Sequence, residues 1–580
     1  PLTDSKITGC TAEGADETEG VGSKAIEQLP GEIAESGSIA VDGVSTATIT
    51  SDAIKEAAAA ALVAAGLNAD DYKTEVKAEE NKAEDSTIDA DIAIVGAGGA
   101  GMTAAITAAA EGKSVVILES QPMVGGNSVR ATGGMNAGDT VYQDENEFGE
   151  SAGVEKTLKT AAEKYADNAT ITALAKTVSE QWAAYQADPK GYFDSVELME
   201  LDTMIGGKGI NDPALVETLC ANSADAIDWL DEHGITLHSV SSFGGASVKR
   251  IHRPVDAEGK TLSVGSYMIP LLQENCDKAG VQTLLNTTAT ELLTDANGAV
   301  VGVKATGSTG ETITVNAKAV VLTTGGFGAN LDMVTEYKPE LKGFMTTNAP
   351  GILGQGIKMA QAIGADTVDM DQIQIHPTVE ANTAALITEG LRGDGAVLIN
   401  AEGKRFIDEV GTRDVVSAAE IAQTGSYSWL VVDQAMVDAS SVIQGYIKKG
   451  YTVTGETYEE LGKAMGVDEA AFAETMKTWN GYVEAKNDPD FGRTSFAKAL
   501  DTAPYYAIKV TAGVHHTMGG LKINTNTEVL KADGSVIPGL FAAGEVTGGV
   551  HGANRLGGNA VADFTVFGRI AGAAASKYAA

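Results

Sequence analysis

Between positions 88 and 118 the chain passes from a short apolar run through a glycine cluster to an alanine-rich stretch and back to an apolar run. Ile88-Asp89-Ala90-Asp91-Ile92-Ala93-Ile94-Val95 reads as a strand, Met102 to Glu111 as a helix, and Ser114 to Leu118 as a second strand. This order opens a βαβ unit. Residues 150 to 235 read mostly as helices. One is predicted to have Asp212 as N-cap, Pro213 in its first turn and Gly234 after its end. Strand-like segments return over 281–323, and a mixed segment occupies 371–514. The last 65 residues return to strand, glycine turn and helix around Gly539-Leu540-Phe541-Ala542-Ala543-Gly544-Glu545. Ahead of the βαβ unit, Val44 to Ser51 leads into an Ala-rich helix from about Asp52 to Leu62. Ser51 or Asp52 is its expected N-cap and Gly66 its stop. From Asn68 to Thr87 Lys, Glu, Asp and Ala replace large apolar residues, the pattern of a solvated linker.

At 580 residues the chain exceeds a single core, and two to four domains are expected. With 68 Gly, 13 Pro and 43% hydrophobic residues, the composition is that of a Gly-rich α/β protein. The net charge of −38 repels nucleic acid and anionic lipid, so neither is an expected partner. It also repels anionic substrates, so an anion site must be a local positive pocket. Cys10, Cys220 and Cys276 show neither disulfide-framework nor metal spacing. No apolar run reaches the roughly 18 residues of a membrane span. Ile7-Thr8-Gly9-Cys10 resembles a lipoprotein cleavage box, but no apolar segment precedes it.

Gly96-Ala97-Gly98-Gly99-Ala100-Gly101 fits G-x-G-x-x-G between a strand and a helix, and Glu119 ends the next strand. Gly96, Gly98 and Gly101 would allow a tight turn and close approach of a pyrophosphate, and Glu119 would accept from ribose hydroxyls. NAD and FAD share this fingerprint. Further clusters favour an extended FAD: Gly126, Asn127 and Ser128; Gly325 and Gly326; Glu545; and Gly557 and Asn559.

With these motifs in place, residues 88 to 580 resemble the flavoprotein subunits of the fumarate reductase and succinate dehydrogenase family, most of all its soluble bacterial reductases. The resemblance implies an α/β fold: a doubly wound, Rossmann-like FAD-binding domain interrupted by a mixed α+β capping domain. The parts would be 88–370 and 515–580 for FAD and 371–514 for the cap. Membrane-bound members tether FAD through a His where this chain has Asn127, so non-covalent FAD is implied. Two carboxylate clamps carry over: His515 with Arg555 of Asn-Arg-Leu-Gly-Gly-Asn, and His376 of Gln-x-His-Pro-Thr with Thr388 of Thr-Glu-x-x-Arg-Gly. The family's proton donor maps to Arg413 of Thr-Arg-Asp, with Glu389 and Arg392 as its relay. Arg is a weak acid, yet a carbanion made by hydride addition is basic enough to deprotonate a positioned guanidinium. Outside this context each residue has a plainer reading: His376 as a structural His, Arg413-Asp414 as a surface ion pair. The pair His515-His516 lacks a third ligand at metal spacing, and no metal is expected.

Asp42-Gly43-Val44-Ser45-Thr46-Ala47-Thr48 resembles the attachment motif of domains that carry FMN on Thr, with Thr46 where Gly is usual. Segment 1–70 would be that domain, incomplete at its N-terminus, with Thr48 as covalent acceptor and 71–87 as linker. Glu17-Thr18-Glu19-Gly20-Val21-Gly22-Ser23-Lys24 also resembles it. The chain shows no second nucleotide fold, no CxxCH and no Cys cluster, so an external electron donor acting through FMN is expected. Such domains are often exported, and the first residue is not Met. A cell-envelope or periplasmic location is therefore expected, with the cytoplasm as the alternative. The implied reaction is fumarate to succinate. Its rivals are reduction of urocanate or an aryl acrylate, dehydrogenation in the reverse direction, and a non-catalytic flavin carrier.

Overall fold

The computed structural model describes residues 2–3, 6–14, 22–44, 48–73 and 83–580. The chain forms two compact units, Pro1–Asp85 with Gly307–Glu311, and Ser86–Thr306 with Thr312–Ala580. In the first, helices Gly22–Ser36 and Thr48–Ala64 enclose a small core of Ala25, Leu29, Ile33, Ile39, Val41, Ile54 and Leu62. The second helix starts at Thr48, ahead of the predicted Asp52. Ser51 is not its cap. It is buried inside the helix, where its hydroxyl accepts from the Val44 N–H at 3.0 Å and pins the incoming loop. Gly66 follows the helix at a φ of 78°, which glycine adopts without strain. Glu17 to Val21, Ser45 to Ala47, the side chain of Thr48 and linker residues 74–82 lie outside the described residues.

The second unit is built on a sheet with eight strands among the described residues. Ser86–Val95 lies at its centre, parallel to Thr312–Leu322 on one side and to Val115–Leu118 on the other. Val536–Ala542 and Gln282–Leu284 extend the parallel order outward. Ile92, Ala93, Ile94 and Val320 to Leu322 are fully buried. That explains why these strands read as continuous apolar runs. Helix Gly99–Ala110 packs against the last helix, Asn559–Tyr578. A Cβ at Gly572 would lie 2.4 Å from the Ala104 carbonyl, so the two backbones touch only because that residue is glycine.

Helices Ser151–Lys164, Ala169–Ala187 and Val196–Gly206 fill the helical stretch as expected. The single helix predicted from Asp212 to Gly234 is two, Pro213–Ala221 and Ser223–Glu232. Asp212 caps the first by accepting from the N–H groups of Ala214 and Leu215. The break follows from Asn222-Ser223: the buried Ser223 hydroxyl donates to the Cys220 carbonyl at 2.8 Å and competes with the helical ladder.

A second, antiparallel sheet orders Ile373–Glu380, Tyr505–Thr517, Tyr427–Asp433 and Val397–Ile399, with Thr452–Gly455 also paired to Tyr505–Thr517. The strand Tyr505–Thr517 runs without interruption through position 514. Its register sets Gln374 opposite His516 and His376 opposite Gly513, which brings His515 beside His376.

Candidate active site

The glycine turn after Ser86–Val95 does two jobs. At Gly96, φ is 106° and a Cβ would lie 2.5 Å from the Thr323 carbonyl. At Gly101 a Cβ would lie 2.0 Å from the Gly96 carbonyl. These two let strand, turn and helix close up. Gly98 instead faces the cleft, and a Cβ there would meet nothing nearer than Ser128 Oγ at 3.6 Å. Its bareness leaves space for a phosphate at the helix N-terminus. Ser128 Oγ accepts from the Gly99 N–H at 3.0 Å. Glu119 is buried at the cleft wall and accepts from the N–H groups of Ala97 at 2.8 Å and Gln121 at 2.9 Å. Burial raises its pKa.

The cleft encloses about 1610 Å³, a figure that includes the open solvent at its mouth. Gly126, Asn127, Ser128, Gly325 and Glu545 line it. Asn127 is engaged on both sides: Oδ1 accepts from the Ala349 N–H at 2.8 Å and Nδ2 donates to Asn348 Oδ1 at 2.6 Å. Glu545 accepts from the Thr517 N–H at 3.0 Å, and burial raises its pKa. Gly326 and Gly557 stand behind the wall, where a Cβ would strike Thr517 Oγ1 at 1.9 Å and the Phe243 ring at 2.1 Å. Asn559 is turned away too, accepting from Asn136 Nδ2 at 2.7 Å and donating to Thr203 Oγ1 at 3.2 Å.

At one end of the same cleft the structure gathers His376, Thr388, Glu389, Arg413, His515 and Arg555. The rings of His376 and His515 lie 4.9 Å apart. His376 Nδ1 accepts from the Thr378 N–H at 3.1 Å, and Thr347 Oγ1 holds His515 Nδ1 at 2.7 Å. The bond to Nδ1 of His376 leaves its Nε2 to carry the proton as a donor. Burial and the Arg413 guanidinium push both imidazoles well below the ordinary His pKa, so both are neutral near pH 7. The Thr388 N–H donates to the Tyr446 hydroxyl at 3.0 Å, and Thr388 Oγ1 accepts from the Gly390 N–H at 3.2 Å.

Arg413 opens the helix Arg413–Ile421 and points inward, while Asp414 turns out to an ion pair with Lys208 at 2.8 Å. The simple surface-pair reading of Arg413-Asp414 therefore fails. Arg413 Nε and Nη2 both reach Glu389 Oε2 at 2.6 Å. Arg392 lies behind the cleft wall with Nη2 3.1 Å from Glu389 Oε1. One residue here escaped the sequence reading. Gln374 Oε1 accepts from Arg413 Nη1 at 2.9 Å and Arg555 Nη2 at 3.3 Å, so one amide sets the spacing of two guanidiniums. It lies two positions from His376 on one strand, hence on the same face, and that spacing was the available signal. Leu386 also lines the cleft unpredicted, and Phe243 lines it from a loop, 242–254, that also resembles the family and is expected to pack near the FAD and cleft. Arg555 has its pKa lowered to about 9, first by burial and then by Arg413. Among the described residues no group of three or more His, Cys, Asp or Glu could hold a metal.

Residues 91–188 and 181–561 match the FAD binding domain family, and residues 2–63 match the FMN-binding domain family. The chain is 42% identical over 506 residues to a Shewanella frigidimarina protein named fumarate reductase (cytochrome), covering 87% of this chain and 80% of that one. The chain belongs to the fumarate reductase flavoprotein family. Members of this family are FAD-dependent oxidoreductases acting on C=C bonds, and the cofactors of the two matched domains are FAD and FMN. The chain is also 40% identical over 540 residues to an NADH:fumarate oxidoreductase of Klebsiella pneumoniae, across 93% of its own length, but it spans only 52% of that relative. A urocanate reductase of Eggerthella lenta is 36% identical over 97% of the chain and 87% of the relative. The solved open conformation of a flavocytochrome c3 fumarate reductase shares 36% identity and superposes with a TM-score of 0.65, covering 88% of this chain and 84% of that one. Among the described residues no helix is long and apolar enough to cross a membrane.

Proposed function

We propose that this chain reduces fumarate to succinate, with Arg413 as proton donor. The observation that carries the reading is the convergence, in the dinucleotide cleft, of Arg413 on Glu389 with two carboxylate-binding pairs, His515–Arg555 and His376–Thr388. Bound and reduced, FAD would supply the hydride. Arg555 offers a planar fork to one carboxylate, and His515 an N–H beside it. His376 and the Thr388 hydroxyl grip the other, and the pull on both ends polarises the double bond. Arg413, held by Glu389 and Gln374, gives its proton to the carbon opposite the hydride, and Arg392 returns one through Glu389. Gly96, Gly98, Glu119, Gly126, Asn127, Ser128, Gly325 and Glu545 would hold FAD without a covalent bond. Thr48 would carry FMN, which would pass on electrons from an external redox partner, in the cell envelope. Segments 1–70, 71–87 and 371–514 would act as FMN domain, linker and cap.

Turnover with a reduced viologen dye tests this reading. Fumarate is expected to be reduced far faster than urocanate or cinnamate, because His376 and Thr388 provide for a second carboxylate. Faster reduction of urocanate would favour the second reading, which the likeness to a urocanate reductase supports. The depressed pKa of Arg555 adds a pH signature. A bound dicarboxylate favours the charged guanidinium, so the bound pKa exceeds the free one. Affinity should therefore be flat near neutral pH and weaken as pH rises through about 9. Succinate titrations across that range check it, and unchanged affinity to pH 10 would place the carboxylate elsewhere.

A further inference from the structure

A neutral imidazole donates from one nitrogen and accepts at the other, so its place in a clamp depends on which nitrogen holds the proton. The two His rings of the cleft have that choice made by different groups. At His376 the backbone makes it. The Thr378 N–H can only donate, so Nδ1 accepts at 3.1 Å and the proton sits on Nε2. At His515 the neighbour of Nδ1 is the Thr347 hydroxyl, 2.7 Å away, and a hydroxyl can donate or accept. If it donates, His515 carries its proton on Nε2. If it accepts, the proton is on Nδ1, and Nε2 turns a bare lone pair to the cleft.

The distances fix the direction. The other acceptor near the Thr347 hydroxyl is the Val514 carbonyl at 3.3 Å. That is longer than the roughly 2.5–3.0 Å of an O–H···O bond. The same carbonyl already accepts from the Thr347 N–H at 2.9 Å. The 2.7 Å to Nδ1 suits a hydroxyl donor, whereas an N–H donating to oxygen settles at about 2.9–3.0 Å. The hydroxyl proton therefore goes to Nδ1. The two partners are also held in place. Thr347 is buried and β-branched, which restricts its rotamers. The Asn348 amide donates to the His515 carbonyl at 3.0 Å, so residues 347 and 348 are bonded to 514 and 515 on both sides of the ring contact.

We propose that Thr347 is a positioning residue whose hydroxyl holds His515 in the tautomer that donates from Nε2 to a substrate carboxylate. This rests on the proposed clamp of His515 and Arg555. His515 lines the cleft, and its Nε2 makes no hydrogen bond among the described residues, so that nitrogen is free for a ligand. Burial and the Arg413 guanidinium keep the ring neutral, so it cannot protonate both nitrogens and escape the choice. The two clamps then differ in kind. Main chain orients His376, whereas a single side-chain hydroxyl orients His515, and a substitution can remove it.

The test uses the FAD-loaded full chain with 15N-labelled histidine and the variants Thr347→Val and Thr347→Ser. Val keeps the branched shape without the hydroxyl, and Ser keeps the hydroxyl. Histidine 15N spectra at pH 7 read the tautomer, with His515→Gln used to identify the resonance among the seven histidines. Wild-type protein is expected to show His515 protonated at Nε2 and bare at Nδ1, free and with succinate bound. T347S should match it, and T347V should lose that single tautomer. The T347V KM for fumarate and Kd for succinate should rise roughly 10- to 100-fold, the scale of a hydrogen bond to a charged group, with a smaller fall in kcat and unchanged FAD content. T347S should bring both constants back to within about threefold of wild type. A proton on Nδ1 of wild-type His515 with succinate bound, a T347V KM within about twofold of wild type, or T347S as weak as T347V each overturns the proposal. Wild-type protein that neither reduces fumarate nor binds succinate overturns the functional reading and the clamp with it. The spectrum of the free protein still reads the tautomer in that case, so the two failures are told apart.

Discussion

Replacing Arg413 by Ala is expected to cut fumarate turnover by roughly 10²–10⁴-fold, the range of a lost general acid, or about 3–5 kcal/mol in the barrier. The reason is positional. Arg413 lines the cleft between the two clamps, its Nε and Nη2 anchored 2.6 Å from Glu389 Oε2 and its Nη1 2.9 Å from Gln374 Oε1. No other side chain there combines a proton with a path for its replacement. His376 and His515 are neutral and committed to orienting bonds through Nδ1. Lys at this position would keep the charge but lose the fork that contacts Glu389 and Gln374 at once, so R413K should recover only a small part of the rate. FAD content and dye-driven reduction of the flavin should survive in R413A. Retention of more than a tenth of the wild-type rate would dismiss Arg413 as the acid, and would fit a carrier that passes electrons without reducing a double bond.

The second large effect is expected at Arg555. Its guanidinium is buried, donates to the Leu556 carbonyl at 3.0 Å and to Gln374 at 3.3 Å, and leaves Nε unpaired. Burial and the nearby Arg413 make the free state uncomfortable, which the lowered pKa records. A carboxylate would relieve both. Truncating one member of a desolvated charge pair costs about 2–5 kcal/mol. Arg555→Met should therefore weaken succinate binding by roughly 30- to 5,000-fold, with less change in flavin content. Titration by flavin absorbance reads this directly, and a loss below about threefold would remove Arg555 from the clamp.

Much of this architecture was legible because local chemistry demanded it. Gly96 and Gly101 are fixed by close backbone approach, and the fully buried strand Ser86–Val95 by its apolar run. The site residues came from motif resemblance, and pairing of Ile373–Glu380 with Tyr505–Thr517 gathers two of them across more than a hundred positions, a distance that no local pattern spans. What was missed depended on tertiary partners. Ser51 looks like a cap until Val44 claims its hydroxyl, and the Asp212 helix looks continuous until Ser223 turns back to Cys220. Asn559 belongs to a flavin motif, yet Asn136 and Thr203 hold it behind the wall. Gln374 gained its role only once Arg413 and Arg555 converged on it from different parts of the chain.

The clamp is assembled from both sides of one seam. His376 and Arg413 come from the second sheet and its helix, whereas Arg555 comes from the segment that leads into the last helix of the FAD fold. Any motion that widens the seam pulls these groups apart and floods the space between them. Under the proposed function, a substrate could then be polarised only while these groups stay together, and parting them would leave neither a pulled double bond nor a dry path for hydride.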